Sequence, residues 1–259
     1  MELTDTQLTQ FDRDGFLILP ELFSAAEIEA IRAELPALFA EKTAANIPEK
    51  EGGVVRTAMG LHQRNALFDR LVRHPRLVGP ARQIAGPELY IQQVKVNVKA
   101  AFDGDMWQWH YDFATHHHDD GVPRPLALNL HIFLDDVSHY NGPLYFIPGS
   151  HKRGPAPARH DTSSTSYPLW VVDREPVAEL VEAGGIVPAI GKAGTALIFG
   201  DTLVHGSPAN MSPWNRSIFS LILNPVENAQ RTFARPEYKH HTDFSPVEAL
   251  SDDCLLKMP

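Results

Sequence analysis

The sequence predicts a mainly β protein in which a double-sheet β-barrel is flanked by α-helices. Three observations support this prediction. Helical signals are concentrated in about residues 1–88, which we expect to form a helical buttress. From Leu89 onwards apolar and polar residues alternate, as in strands with one buried face. Many short strand candidates follow, separated by turn sequences, and this order of elements indicates two packed sheets.

The strongest local signals lie in residues 15–40. Residues 16–19 predict a short strand that ends at a proline. Ser24 is suited to cap the following helix, and Glu27 stands three positions later, where it completes a capping box. The apolar spacing then continues to about residue 38, with a possible kink at Pro36.

A second helical stretch is predicted over about residues 66–85. Pro75 and Pro80 fall inside it, and we expect them to break it into pieces, because proline lacks the backbone N–H that a helix interior needs. The Gly86-Pro87 pair ends the stretch.

Two longer strands show the alternation most plainly. In residues 92–99 the valines share one face and the polar residues the other, and in residues 126–134 leucine and isoleucine alternate with Asn129, His131 and Phe133. Further strand candidates are residues 107–112, 144–147, 195–199 and 217–223.

Residues 152–192 show little strand pattern and are too long for an ordinary connection. Loops of this length usually serve as lids or mobile segments, so we expect a lid-like insertion. The chain of 259 residues fits a single domain with a β core over about residues 89–226 and a carboxyl-terminal tail over 227–259.

The composition excludes several classes of protein. The formal net charge of −9, without a run of basic residues, argues against a nucleic-acid partner. Cys254 is the single cysteine, so internal disulfides and cysteine-based metal sites are excluded, and a metal would need histidine, carboxylate or water as ligands. No apolar run approaches the roughly 18 residues of a membrane span, and we expect a cytoplasmic protein without a targeting segment.

The sharpest candidate site begins at His110 and Asp112. On a strand these two side chains would project from one face, at a spacing suited to one metal ion. His205 would complete a two-histidine, one-carboxylate triad, which in non-haem iron(II) sites leaves positions open for a chelating cosubstrate and oxygen. Arg216 stands eleven positions later, and its guanidinium could hold a distal carboxylate. Taken alone, each of these residues has an ordinary structural explanation.

Other motifs occur in a fixed order around these residues. They are Phe11-x-x-Asp14-Gly15-Phe16, Trp109-His110-x-Asp112-Phe113, Asp120-Gly121, Asn141-Gly142-Pro143-Leu144, Ile147-Pro148-Gly149-Ser150-His151, His205-Gly206-Ser207, Asn210-x-Ser212-Pro213 and Arg235-Pro236-Glu237-Tyr238. With them the chain resembles, over nearly its whole length, the phytanoyl-CoA dioxygenase family of iron(II)/2-oxoglutarate oxygenases. Within the family it is most similar to the small-molecule branch that contains ectoine hydroxylase and the free L-proline and L-leucine hydroxylases.

The resemblance implies a double-stranded β-helix, the cupin-like jelly roll, with His110, Asp112 and His205 as iron(II) ligands. The cosubstrate 2-oxoglutarate would chelate the iron and pair its 5-carboxylate with Arg216, assisted by Ser207. The implied reaction uses O2, converts 2-oxoglutarate to succinate and CO2, and hydroxylates an unactivated C–H bond.

By position, the resemblance also implies that Asn97, Trp107 and Asn129 surround the cosubstrate. Asn97 and Asn129 lie on the polar faces of their predicted strands, and those faces would then line the barrel lumen. The alternative is that the polar face of residues 92–99 is a solvated outer surface.

For the substrate, the resemblance implies contacts with Gln93 and Lys95. The related branch usually has tryptophan at the position of His116, so ectoine itself is not assigned. The histidines at 116–118 are interpreted either as a solvated or gating loop or as a substrate contact by His116. Four more histidines are interpreted as structural or surface residues: His131, His139, His151 and His160.

We therefore predict hydroxylation of a free amino acid or a small amino-acid-derived metabolite, with the oligomeric state left open. A same-chemistry alternative is a tailoring oxygenase of a larger natural product, with residues 152–192 as a more open lid. A non-catalytic jelly-roll binding protein is a second alternative, although the intact set of ligands argues against it. A zinc hydrolase is a third, and it leaves Arg216 unexplained.

Overall fold

The computed structural model describes residues 1–50 and 52–257 and is built mainly from antiparallel strands. Its helices are α1 (Asp5–Asp14), α2 (Ala25–Ala40), α3 (Leu61–Arg64), α4 (Ala66–Val72), α5 (Pro75–Ala85), α6 (Asp112–His118) and α7 (Arg174–Gly184). Its strands are β1 (Phe16–Leu19), β2 (Asn46–Pro48), β3 (Val55–Met59), β4 (Leu89–Lys99), β5 (Trp107–His110), β6 (Leu128–Phe133), β7 (Leu144–Phe146), β8 (Ala158–Asp161), β9 (Leu169–Val172), β10 (Val187–Ala189), β11 (Ala196–Gly200), β12 (His205–Ser207) and β13 (Arg216–Pro225).

Two sheets form the barrel, which confirms the predicted fold class. The larger sheet has seven strands in the order β1-β11-β6-β13-β4-β3-β2, and the smaller has four in the order β10-β7-β12-β5. Both are antiparallel throughout. Phenylalanines from both sheets meet in one buried cluster, so the sheets face each other in a jelly roll: Phe133 and Phe199 from the larger sheet and Phe146 from the smaller.

The outer face of the larger sheet packs against α2, α4 and α5. The apolar residues that alternate along β4 and β6 all point to this side, where burial stabilises the fold by roughly 1.5–3 kcal/mol for each large side chain. The cluster includes Ile28, Ile31, Leu35, Phe68, Leu71, Val94, Val96, Leu128, Leu130 and Phe219. The opposite, polar faces of β4 and β6 are consequently turned into the barrel.

The amino-terminal buttress is less purely helical than the sequence predicts. It contributes β1, β2 and β3 to the larger sheet, so that sheet begins well before residue 89. It also contains α1, which the sequence analysis missed, with a capping box between Thr4 and Gln7.

The predicted capping box of Ser24 and Glu27 on α2 is confirmed. Pro36 lies inside α2, on the exposed side of the helix.

The predicted break in residues 66–85 is confirmed at Pro75 but not at Pro80. Pro75 is the first residue of α5, a position where the missing N–H has no intrahelical partner in any case. Pro80 lies within α5, a helix held against the sheet by buried residues such as Leu77 and Val78.

The expectation that residues 107–112 form one strand is wrong. Strand β5 ends at His110, Tyr111 keeps an extended backbone, and Asp112 is the first residue of α6. The three histidines at 116–118 therefore lie on this helix and not in a loop. His116 is buried, whereas His117 and His118 are exposed.

The segment 152–192 is not the largely structureless insertion that the sequence predicts. It contains the hairpin of β8 and β9, helix α7 and strand β10. The hairpin lies against β5 and α6, beside the candidate site. Short apolar runs such as the one in β9 are poor predictors of a strand when no alternation extends them. Within the described residues, no helix has the length and apolarity that crossing a membrane requires.

Candidate active site

Three elements bring His110, Asp112 and His205 together. Strands β5 and β12 pair antiparallel with His205 opposite His110, and the two ring centroids are 4.1 Å apart. The turn from β5 into α6 places the Asp112 carboxylate 3.8 Å from His110 Nε2 and 3.9 Å from His205 Nε2. One ligand atom from each residue lies within 4.8 Å of the others, a separation that fits shared coordination of one metal ion.

The two imidazoles are oriented for metal binding by backbone carbonyls. Nδ1 of His110 lies 2.6 Å from the carbonyl of Gln108, and Nδ1 of His205 lies 2.9 Å from that of Leu203. A carbonyl can only accept, so each Nδ1 carries the proton and each Nε2 presents its lone pair to the metal. Burial lowers the pKa of His110 to about 3, which keeps the ring neutral as a ligand must be.

A buried arginine stands at the other end of the cavity. Arg216, the first residue of β13, is 2% exposed, and its Nε has no hydrogen-bond partner in the described part of the chain. Nη2 approaches Ser207 Oγ at 3.4 Å, and that hydroxyl donates to the carbonyl of Gly142 at 2.9 Å. Burial and nearby Arg56 lower the pKa of Arg216 to about 9, so it remains charged at neutral pH. Within the described residues Arg216 forms no ion pair, and a ligand carboxylate would therefore meet an unpaired buried cation.

Two asparagine side chains line the same cavity as Arg216 and the triad. Asn97 accepts a hydrogen bond from Thr57 Oγ1 through its Oδ1 at 2.9 Å, and Asn129 Nδ2 is buried without a partner among the described residues. Trp107 closes one side of the cavity, with the Tyr167 ring centroid 5.4 Å from its own. Donors that lack partners inside the protein fit a ligand rich in acceptors, and 2-oxoglutarate with its two carboxylates is such a ligand.

The side chains predicted to contact the substrate border the same cavity. Lys95 Nζ donates to Gln93 Oε1 at 2.6 Å, and Gln93 Nε2 donates to the carbonyl of Lys239 at 2.6 Å. His116 lies one helical turn after Asp112, with Nδ1 3.0 Å from a carboxylate oxygen of Asp201. The solvated-surface alternative for the polar face of β4 is thus wrong. Among all the predicted site residues, only Ser207 does not line the cavity, because it lies behind Arg216.

Sequence reasoning missed several cavity residues, and three of them carry ionisable side chains. His131 was interpreted as structural or surface, yet it lines the cavity two positions after Asn129, and the alternation of β6 was the signal for it. Tyr167 reaches the cavity from the loop between β8 and β9. Arg235 comes from the carboxyl-terminal tail and forms a buried, two-pronged ion pair with Asp120. His139 and His160 are exposed, as expected.

A jelly roll whose lumen holds two histidines and an aspartate at one end and an unpaired arginine at the other defines a class: the non-haem iron(II) oxygenases that use 2-oxoglutarate. The phytanoyl-CoA dioxygenase (PhyH) family matches residues 11–218, and the chain belongs to this family.

Curated relatives and solved structures agree with this assignment. The chain is 38% identical over 261 residues to ectoine dioxygenase from Nocardia farcinica, covering 95% of this chain and 88% of the relative. It is 35% identical over 256 residues to L-proline trans-4-hydroxylase from Streptomyces griseoviridis, covering 95% and 96%. The crystal structure of EctD from S. alaskensis with 2-oxoglutarate and 5-hydroxyectoine matches with a TM-score of 0.86 and 32% identity, covering 96% of this chain and 87% of the other.

The structure of the same enzyme with bound iron matches with a TM-score of 0.85 and 31% identity over 96% of this chain and 87% of the other. Together with the metal site of His110, Asp112 and His205, these findings make the chain a dioxygenase that uses iron, 2-oxoglutarate and O2. The predicted reaction class and cofactors are confirmed, while the roles of the individual cavity residues around the metal site remain predictions.

Proposed function

We propose that this dioxygenase hydroxylates an unactivated C–H bond of a free amino acid or a small amino-acid-derived metabolite. The observation that carries the substrate class is the distribution of charge in the cavity. Arg235 and His116 each face a buried carboxylate of the protein, from Asp120 and Asp201. Lys95 forms no ion pair among the described residues, and the acidic group that acts on it from farther away is the metal-site residue Asp112.

The environment of Lys95 favours a carboxylate as its partner in the complex. Its ammonium group donates to Gln93 Oε1, a neutral acceptor, and burial lowers its pKa. A substrate carboxylate placed against Lys95 would offset the cost of burying this cation. Free amino acids and their small derivatives carry such a group. The name of the L-proline hydroxylase relative agrees with this class.

The cover over the cavity supports a small substrate. Tyr167 and Leu169, from the segment of the β8–β9 hairpin, both border the cavity beside Lys95. The hairpin thus covers the site, and a bulky scaffold would have to displace it. The same cover would exclude water during turnover, which protects a reactive intermediate.

At the other end of the cavity we propose that Arg216 binds the 5-carboxylate of 2-oxoglutarate, with Ser207 against the same guanidinium. Asn97, Trp107 and Asn129 would orient the rest of the cosubstrate by amide donors and by packing. The iron, when bound to His110, Asp112 and His205, supplies oxygen activation coupled to decarboxylation of 2-oxoglutarate. The protein's part is to hold both ligands in fixed geometry and to keep solvent out.

Succinate formation tests the substrate class. Purified enzyme with iron(II), 2-oxoglutarate and O2 is assayed with the proteinogenic L-amino acids, ectoine and a set of bulky polycyclic scaffolds. We expect a small carboxylate-bearing compound to stimulate succinate formation and to gain one oxygen atom. Stimulation by the bulky scaffolds alone would instead support the tailoring oxygenase.

Variants of Lys95 sharpen the same test. In Lys95→Met we expect the stimulation by the small substrate to fall by about tenfold or more, because one partner of a buried charge pair is lost. The KM for 2-oxoglutarate should change little. Lys152→Met, at an exposed lysine, is the matched control. If Lys95→Met performs like this control, the proposed carboxylate contact is wrong.

A further inference from the structure

Helix α6 carries an imidazole into the cavity next to the metal site. His116 follows Asp112 by four positions, so the two side chains share one face of the helix. His116 is 3% exposed and lines the cavity, in contrast to the exposed His117 beside it. The triad does not use His116, and its surroundings therefore need an explanation of their own.

The partner of His116 is the carboxylate of Asp201, which forms no hydrogen bond with any other described residue. Asp201 follows β11, is 1% exposed, and places Oδ1 3.0 Å from His116 Nδ1. In the described part of the chain neither oxygen of this carboxylate has an aligned hydrogen bond, so His116 is its one close polar side-chain contact. A carboxylate buried this completely is costly unless a cation offsets it, and His116 is the cation within reach.

The backbone fixes the distance between the two partners. The carbonyl of Asp201 accepts a hydrogen bond of 3.0 Å from the backbone N–H of Phe113, in the first turn of α6. The start of the helix and the end of β11 are therefore held together, which keeps the backbone segments that carry His116 and Asp201 at a fixed separation. Such second contacts orient the group that meets a ligand.

The remaining ring nitrogen is left to the cavity. Asp201 lies beside Nδ1, and Nε2 makes no hydrogen bond among the described residues although the ring borders the cavity. Burial raises the pKa of Asp201, and despite burial the Asp201 carboxylate raises the pKa of His116, so the pair keeps one proton between Nδ1 and the carboxyl oxygen. Whether Nδ1 or the carboxyl group holds that proton, the other ring proton is on Nε2, which presents an N–H to the cavity.

We propose that His116 donates a hydrogen bond from Nε2 to an oxygen of the substrate and that Asp201 is its positioning residue. The pair selects compounds with an oxygen acceptor near the reacting carbon, because a ligand without one would leave a buried N–H unpaired. This inference rests on the proposed function, since it assigns a further contact to the same small substrate.

Binding to the inactive ternary complex tests the pair without turnover. Anaerobic enzyme with iron(II) and 2-oxoglutarate is titrated with L-proline, L-leucine and ectoine, and binding is followed through the change in the visible absorption of the iron–cosubstrate chelate. In His116→Phe we expect the Kd of the tightest of these ligands to rise about tenfold or more, while 2-oxoglutarate affinity stays unchanged. His116→Gln keeps an N–H donor and should recover part of the affinity.

A double-mutant cycle assigns the role of Asp201. Asp201→Asn should weaken binding, and His116→Phe/Asp201→Asn should bind no worse than His116→Phe, because the carboxylate acts only through the ring. The double variant also removes the lone buried carboxylate and so covers the case in which His116→Phe does not fold. His117→Phe, on the exposed side of the same helix, is the matched control.

The possible outcomes separate this inference from the function on which it rests. If the ligands bind to wild type and to the His116 variants equally, the hydrogen bond is refuted and the substrate class stands. Additive losses in the cycle, with weaker 2-oxoglutarate binding in every variant, would mean that the pair only holds α6 in place, and would overturn the proposal. If none of the three compounds binds to wild type, the substrate class and this contact fail together.

Discussion

At the scale of single residues, the cavity is defined by buried charges that lack partners of their own. Arg216 is the clearest case, because an arginine this deeply buried normally has a carboxylate beside it. The sequence could place Arg216 by its distance from His205. It could not show that the guanidinium is unpaired, since that depends on every other residue around it.

Removing Arg216 should selectively weaken the binding of 2-oxoglutarate. In Arg216→Ala we expect the KM for 2-oxoglutarate to rise about 30-fold or more, equivalent to roughly 2 kcal/mol, because the 5-carboxylate loses its ion-pair partner. Arg216→Lys keeps the charge but not the planar fork, and its loss should be smaller. Steady-state kinetics at varied 2-oxoglutarate measures both. Arg231→Ala, at an exposed arginine, is the control, and an equal KM in all four proteins would contradict the assignment.

The buried ion pair of Asp120 and Arg235 links the carboxyl-terminal tail to the cavity and makes the stability of the fold depend on pH. Burial raises the pKa of Asp120, but the contact with His240 and the hydrogen bonds from Arg235 outweigh it and bring that pKa to about 2. The carboxylate thus stabilises the folded state above its unfolded pKa near 3.8, by roughly 2 kcal/mol. This contribution is lost as the pH falls through the folded value.

Asp120→Asn should therefore destabilise the protein most at neutral pH. We expect the difference in free energy of unfolding between wild type and this variant to narrow as the pH falls from about 4 towards 2, the interval between the unfolded and folded pKa values. Urea denaturation at several pH values measures it, with Asp103→Asn as an exposed control. A difference that stays constant with pH would refute the role of Asp120.

At the scale of elements, alternation was the most informative signal in the sequence. It predicted β4 and β6 and which of their faces turns inward, because one face of each strand must pack against the helices. At residues 107–112 alternation predicts one continuous strand, which is wrong, although the ligand pair His110 and Asp112 that it suggests is correct. Asp112 meets His110 through a turn from strand to helix, and a spacing of two residues does not distinguish that turn from a continuous strand.

The β8–β9 hairpin is held over the cavity by an aromatic stack. The ring of Trp170 is stacked between His118, at 4.2 Å between centroids, and His160, at 5.2 Å. Its Nε1 donates to Asp119 Oδ1 at 3.1 Å. These contacts fasten the hairpin to α6, the helix that carries Asp112, so the cover of the site and the metal site share one support.

Trp170→Ala should loosen this cover. We expect backbone amides of Leu169–Val172 to exchange about tenfold faster with deuterium, while those of β13 are unaffected, because only the local contacts are lost. Exchange followed by mass spectrometry measures this. Trp214→Ala, at a tryptophan that is 59% exposed, is the matched control. Unchanged exchange in Trp170→Ala would mean that other contacts hold the hairpin.

At the scale of the whole molecule, the jelly roll and the metal triad could be predicted, and the walls of the cavity could not. The triad rests on residue types and an order that match both a metal site and the motifs around it. Tyr167 and Arg235 reach the cavity from segments with no regular pattern, and Asp120 meets Arg235 across 115 positions of chain. Contacts of this kind arise when the chain folds, and no local pattern records them.

The central claim is that His110, Asp112 and His205 hold an iron that 2-oxoglutarate chelates, with Arg216 at the far carboxylate. Anaerobic addition of iron(II) and 2-oxoglutarate tests it most directly, because a chelate gives a weak visible charge-transfer absorption before any turnover. We predict this band in wild type, its absence in Asp112→Ala, and a higher 2-oxoglutarate requirement in Arg216→Ala. A folded wild-type protein that binds iron but gives no band with saturating 2-oxoglutarate would contradict the account.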